Sequence, residues 1–250
     1  MGILVVDIGT SGLRAAVVRE DGSVNFLNYE SCRPGTPSPG LVEFDPQKMA
    51  DAVLRVCNAT IAQSKNSDKI EAVGITNQRA STVMWSKSTG KPLGPALGWQ
   101  DLRTVFDCIT AASEHSIKLA PNQTATKAAW MIQNYVVAKN LDFSDVRIGT
   151  VDSWIASVLS NNKLHVTDST NAGATGLCTL DASSWSERIC DLLKVDVSML
   201  PKIVKSTGVI GNATALPGSP PIASLIGDQQ SSLIGQGCIN SGATKITFGT

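Results

Sequence analysis

Val5-Val6-Asp7-Ile8-Gly9-Thr10-Ser11-Gly12-Leu13-Arg14 joins two apolar runs through a short polar turn. Ile3 to Val6 reads as a buried strand and Ala15 to Val18 as its partner, so the stretch is a hairpin. Its turn is unusual in content. Gly9 and Gly12 lack a Cβ and let backbone approach a ligand. Thr10 and Ser11 add hydroxyls and free N–H groups of the kind that suit phosphate oxygens. Asp7 stands where a hard cation can be held, directly or through water. The plain alternative is a tight hairpin with a carboxylate at its mouth. Taken alone, the stretch favours that alternative, because Gly-Thr-Ser turns are common.

The rest of the chain limits the choices. Its 250 residues suffice for one large domain or two small ones, and 42% are hydrophobic, enough for a sizeable core. Lys+Arg and Asp+Glu both number 21, so nothing global attracts nucleic acid or an anionic membrane. The six cysteines form no C-x-x-C pair, and there are only two histidines, which argues against zinc and against a disulfide framework. They read as mostly buried small hydrophobes in a reducing compartment. No signal-peptide pattern follows Met1 and no apolar run approaches membrane length, so the expected location is cytoplasmic.

In order, 2–7, 13–19 and 23–30 read as an antiparallel meander, with Asp21-Gly22 at its second turn. A Pro- and Gly-rich loop over 33–45 leads to Asp45-Pro46, an N-cap and a first helical residue, and a helix to about Gln63. Ile70 to Ile75 and Thr82 to Trp85 read as strands. A helix follows Asp101, read as its N-cap. Further helices lie around 125–139, after an Asp152 cap, and after a Ser184–Glu187 capping box. His165 to Ala174 reads as irregular. Ile222 to Ile226 is a strand, a helix then runs to Gln236, and Lys245 to Phe248 closes as a strand. The pattern is mixed α/β, and several polar clusters lie just after apolar strands, where ligands bind in open α/β sheets.

Three such clusters carry chemistry. After Ile75, Arg79 offers a planar donor fork for a polyol oxygen or a phosphate, against the plain alternative of a surface arginine. Trp99-Gln100-Asp101 sets an aromatic face beside a carboxylate, which suits a sugar or polyol as well as it suits a core Trp and a cap. In Gly227-Asp228-Gln229-Gln230, Asp228 can take a hydroxyl proton as an alcohol attacks phosphorus, and Gln229 can bond a neighbouring hydroxyl. Helix capping is the competing role for Asp228. A fourth cluster, Thr247-Phe248-Gly249-Thr250, looks like the start of a second strand–turn–strand loop and suggests a fragment of a longer protein. His115 and His165 stand alone and read as surface or core residues. Of the five tryptophans, only Trp99 is assigned outside the core.

Laid out in order, these residues resemble the N-terminal domain of the FGGY carbohydrate kinases, within that family the glycerol kinase branch. The likeness runs through Asp7–Arg14, Val42–Pro46, Gly74–Arg79, Trp99-Gln100, Gly149–Trp154, His165–Ala172, Gly227–Gln230 and Gly249-Thr250. It implies a ribonuclease-H-like fold shared with actin and hexokinase, over residues 1–250, with a C-terminal ATP-binding domain absent from this chain. It implies ATP and Mg²⁺ as cofactors. Asp7, Gly9, Thr10, Ser11 and Arg14 would approach the phosphates, and Asp7 would place the metal. Gly249 and Thr250 would open the second phosphate loop. Asp228 would be the general base, and Arg79, Trp99, Asp228 and Gln229 would bind a polyol or sugar. The full-length protein could form a homo-oligomer, and the isolated 250 residues should be nearly inactive. Two positions depart from the glycerol kinase pattern: Ala80 stands where Glu is usual, and Asn122 where Tyr is. The competing readings are a non-catalytic polyol-binding or regulatory protein, a ketopentose kinase lacking that group's Met-His-Gly, and an actin-like ATPase.

Overall fold

Along Gly2–Ile8 (β1), buried side chains alternate with more exposed ones, the period-2 signature of a strand with one face in the core. The computed structural model describes residues 1–65 and 67–247. β1 pairs antiparallel with Gly12–Val18 (β2), which pairs antiparallel with Val24–Ser31 (β3), so the expected meander opens the fold. The chain then passes Glu43–Phe44 (β4) and enters the helix Pro46–Ser64 (α1). Asp45 caps α1, its carboxylate accepting from the N–H groups of Gln47 and Lys48 at 3.0 and 3.1 Å. Met49, Val53, Val56 and Thr60 form its buried face, packed on the meander.

From α1 the chain returns as Ile70–Asn77 (β5), parallel to β1 on the side away from β2. Thr82–Ser86 (β6), Ala96–Leu97 (β7) and, later, Val146–Thr150 (β8) join β4 in a second, antiparallel sheet of order β4-β7-β6-β8. Val105–His115 (α2) and Ala125–Met131 (α3) lie between β7 and β8, α3 widening into a π-helical turn over Ile132–Val137. After β8 come Val151–Leu159 (α4), Val166–Asp168 (β9), Ser169–Ala172 (α5), Glu187–Leu193 (α6), Lys202–Val204 (β10) and Thr207–Asn212 (β11). Pro221–Gly227 (β12) then inserts beside β5, and Asp228–Gly235 (α7) follows. The main sheet has the order β11-β12-β5-β1-β2-β3, while β9 and β10 form a separate parallel pair.

Two cores result. One lies between the main sheet, α1 and α4, and includes Leu4, Val6, Val53, Ile75, Trp154 and Leu225. The other lies beneath the second sheet, where Met84, Leu97, Met131, Tyr135 and Ile148 meet. Trp85 and Trp154 are core residues as expected, Trp130 and Trp185 pack against the second core, and Trp99 is 38% exposed. All six cysteines are free, three of them buried and three half-buried. No described helix is long and apolar enough to cross a membrane.

Several local expectations fail for identifiable reasons. Asp101 does not cap α2, which starts after Thr104. It is fully buried and accepts instead from the Val42 N–H at 2.6 Å and from the Arg103 backbone and guanidinium at 2.8–3.0 Å. Asp152 is also not a cap: it lies inside the first turn of α4 and accepts from the hydroxyls of Thr150 and Thr167. The Ser184–Glu187 capping box does not form. The helix begins after Ser186, whose side chain makes no cap bond, and the Ser184 carbonyl instead accepts from the Thr179 N–H. His165 to Ala174 is not irregular, because β9 and α5 lie within it. Lys245–Thr247 form no strand, since a strand needs a ladder partner and these residues have none among the described ones. Phe248 lies outside the described residues.

Candidate functional site

Three parallel strands end together. In register, Ile8 of β1 lies opposite Asn77 of β5, and Asn77 lies opposite Gly227 of β12. The residues that follow these rungs therefore emerge side by side at the carboxyl edge of the sheet. Here topology alone joins the turn at Gly9–Ser11, Arg79 and Asp228.

Arg79 and Asp228 meet across this edge, with Nε and Oδ1 3.8 Å apart and both side chains partly exposed. The arginine stem lies over Gly227. A Cβ there would overlap Arg79 Cδ and sit 2.8 Å from Cγ, so only glycine admits the approach. Asp228 is the first residue of α7 and accepts the Gln229 N–H at 2.7 Å. Burial pushes its carboxyl above the ordinary range, opposed by the Gln229 N–H, Arg79 and Lys245. A carboxylate made more basic than usual, still partly open to solvent, suits proton acceptance. Gln229 is exposed beside it.

Asp7 faces the same edge. Burial raises its pKa, the Arg14 guanidinium 3.6 Å away opposes this, and the negative charge of Asp228 adds to the rise. Two carboxylates that repel one another favour a cation near them. No cluster of three or more metal-ligating side chains occurs among the described residues. That donor set fits a hard ion held by one carboxylate, water and phosphate oxygens, as Mg²⁺ commonly is.

In the opening turn the glycines serve packing as well as access. A Cβ on Gly12 would fall 2.5–2.7 Å from the Tyr29 ring. The Gly9 N–H bonds the Gly12 carbonyl, whereas the N–H groups of Thr10 and Ser11 have no protein partner among the described residues. The Thr10 hydroxyl is turned inward. It donates to Gln78 Oε1 at 3.2 Å and accepts from the Trp99 indole N–H at 3.2 Å. What the turn offers an anion is therefore backbone and the exposed Ser11, with Arg14 alongside.

Trp99 is held at two further points, one of them tied back to the turn. Its N–H donates to Ser81 Oγ at 3.0 Å, its carbonyl accepts from Lys127 Nζ at 3.1 Å, and Ser81 shares Gln78 Oε1 with Thr10. Lys127 is fully buried, and burial, opposed by the charge of Asp101, lowers its pKa to about 8. Ala80 is buried with φ +63°, a conformation few non-glycine residues adopt, and its carbonyl accepts from Thr82 and Thr124. Asn122 is exposed. Gly249 and Thr250 lie outside the described residues.

Sequence reasoning named Arg79, Trp99, Asp7 and Asp228, and the fold brings them to one edge. It gave no role to Gln78, Ser81 or Lys127, which reach Thr10 and Trp99 across long stretches of chain. A cavity of about 1070 Å³ lies elsewhere, lined by Cys32, Phe44, Lys48, Arg55 and Lys91 among others. It contains none of the residues above, and its charges largely pair among themselves, Arg55 with Glu30 and Lys48 with Asp45.

Residues 2–235 match the model of the FGGY family of carbohydrate kinases, N-terminal domain. A glycerol kinase of Leptospira biflexa is 35% identical over 262 residues, covering 99% of this chain and 53% of that protein. One of Aromatoleum aromaticum is 36% identical over 262 residues with the same coverage. The solved glycerol kinase of Plasmodium falciparum with ADP superposes with a TM-score of 0.90 at 28% identity, over 97% of this chain and 51% of that one. A xylulose kinase of Rhodospirillum rubrum superposes at 0.87 with 18% identity, over 97% and 52%, a likeness of fold alone. The chain spans about half the length of the curated relatives it matches.

Proposed function

This chain belongs to the FGGY family of carbohydrate kinases, and from that premise we propose that it is the substrate-binding half of an ATP- and Mg²⁺-dependent kinase acting on a hydroxyl of glycerol or a related polyol or sugar. The meeting of Arg79 and Asp228 at the end of adjacent strands, 3.8 Å apart, carries this reading. Arg79 donates to substrate oxygens and fixes the polyol, Trp99 walls its C–H face, and Gln229 bonds a neighbouring hydroxyl. Asp228 accepts the proton as the substrate oxygen attacks phosphorus in line with the leaving group. The N–H groups of Thr10 and Ser11 and the Arg14 guanidinium face the phosphates. Asp7 would hold Mg²⁺, which when bound neutralises phosphate charge. The remaining half of the protein supplies the rest of the nucleotide site, so these 250 residues alone turn over negligibly.

ATP-dependent phosphorylation of glycerol, other polyols and ketopentoses, assayed in a full-length protein containing this chain, tests the assignment. Asp228→Asn should lower turnover by about 10²-fold or more. Turnover unchanged in that variant removes Asp228 from its role. A second reading, a polyol-binding regulator without turnover, draws on Ala80, which offers no carboxylate where glycerol kinases carry Glu. Calorimetric binding of a polyol with no turnover of any would favour it.

A further inference from the structure

Behind the site lies a buried polar network that the proposed chemistry does not use. Its centre is Asp168, fully buried at the end of β9. A helix cap needs only the Thr170 and Asn171 N–H groups, which Asp168 accepts at 3.1 and 3.0 Å. It also accepts from the Thr170 hydroxyl at 2.8 Å, the Asn171 amide at 2.8 Å and the Ser206 hydroxyl at 2.7 Å. Two of these donors reach onward. The Thr170 hydroxyl, its proton given to Asp168, accepts the Gly227 N–H at 2.8 Å. Asn171 exchanges amide bonds with Asn77, at 2.9 and 3.3 Å.

Gly227 immediately precedes Asp228 and supports the Arg79 stem, while Asn77 lies two residues before Arg79 and also donates to the Gln78 carbonyl at 2.8 Å. Gly227 and Asn77 are opposite one another on the last rung of the β5–β12 pair. One carboxylate therefore reaches both strand ends that carry the substrate pair. We propose that Asp168, acting through Thr170 and Asn171, is a positioning residue that fixes Arg79 and Asp228 relative to one another. This rests on reading those two residues as the substrate pair. The network touches no ligand. It acts by denying the strand ends a second arrangement: if either shifts, a buried N–H or amide loses its partner.

The test uses the 250-residue chain as wild type, Thr170→Val, Thr170→Ser and Ser206→Ala, with Thr170→Ala replacing the valine variant should that one not fold. Three quantities are read: the melting temperature, the NMR position of the Arg79 Nε–Hε pair, and glycerol affinity by calorimetry. Thr170→Val removes the acceptor of the Gly227 N–H at constant shape. It should displace the Arg79 signal and weaken glycerol about tenfold, with melting within a few degrees of wild type. Thr170→Ser restores both, and Ser206→Ala, which leaves the link to Gly227 intact, changes neither. An Arg79 signal unmoved in Thr170→Val overturns the proposal. So does an equal loss of melting temperature in the valine and serine variants, which marks Thr170 as merely structural. If the Arg79 signal responds while the wild-type chain binds neither glycerol nor any of a panel of other polyols and ketopentoses, the positioning role stands and the polyol reading falls.

Discussion

Gly227→Ala separates the site from the fold more cleanly than removal of any charged residue. The backbone at Gly227 has φ −63° and ψ 147°, which alanine adopts without strain. The new methyl would overlap Arg79 Cδ, lie 2.8 Å from Cγ and 3.1 Å from Gln230 Oε1. Cδ and Cγ belong to the middle of the arginine stem, so the guanidinium cannot stay where it is while the stem makes room. Arg79 is half-buried and has solvent to move into, so the cost to stability should be under about 1 kcal/mol. The cost to binding should be larger. A hydrogen bond from a charged donor to a ligand hydroxyl is worth about 1.5–3 kcal/mol, which is roughly 10- to 150-fold in affinity. Calorimetry with glycerol and a panel of polyols, beside a urea melt, measures both. Unaltered affinity for every polyol that the wild type binds would refute the reasoning, as would a loss of several kcal/mol in stability, because the contact would then be structural.

Two further predictions concern buried charge. Burial, opposed by the Ile148 carbonyl and reinforced by the charges of Arg147 and Lys87, takes His165 down to about 4. The unfolded chain binds that proton below about 6.5, so His165 contributes stability that is present above pH 6.5 and lost as pH falls toward 4, at most about 3 kcal/mol. His165→Gln should flatten the urea-derived stability profile across that window, and an identical slope would reject the assignment. Asp101→Ala takes the carboxylate partner from the nearly buried Arg103 guanidinium, leaving only Glu43 at 2.7 Å. It should cost about 3 kcal/mol in urea unfolding, and a loss below about 1 kcal/mol would show that Glu43 suffices.

Features set by neighbours in sequence were legible. Asp45-Pro46 announces α1 because a cap and its helix adjoin, and alternating burial marks β1. Arg79 and Asp228 were found because each follows an apolar run, and the rule that ligands bind past strand ends needs no knowledge of pairing. Asp101 shows where such reading stops. Its sequence suits an N-cap, but its strongest backbone partner is Val42, on a loop far back in the chain. Asp152 was misread in the same way, since Thr167 competes for it. The glycine-rich edge strand β11 has too few apolar residues to register, and Lys245–Thr247 alternate polar and apolar as a strand does but have no ladder partner among the described residues. The inward turn of Thr10 follows from Gln78 and Trp99, neither of which a local reading can place against it.

The strand order also dictates a sequence of events for the newborn chain. Among the described residues β12 is the last strand made, yet it pairs with β5 in the middle of the main sheet, not at its rim. Until residues 221–227 leave the ribosome, one side of β5 carries open N–H and C=O groups, and β11 has no sheet to join. An unpaired, largely apolar strand edge is where chains find wrong partners. The meander, α1 and β5 are local enough to assemble early. Completion must wait for a contact spanning most of the chain. The strand that closes this gap also delivers Asp228, so the chain acquires its reactive edge only when its most exposed backbone is covered.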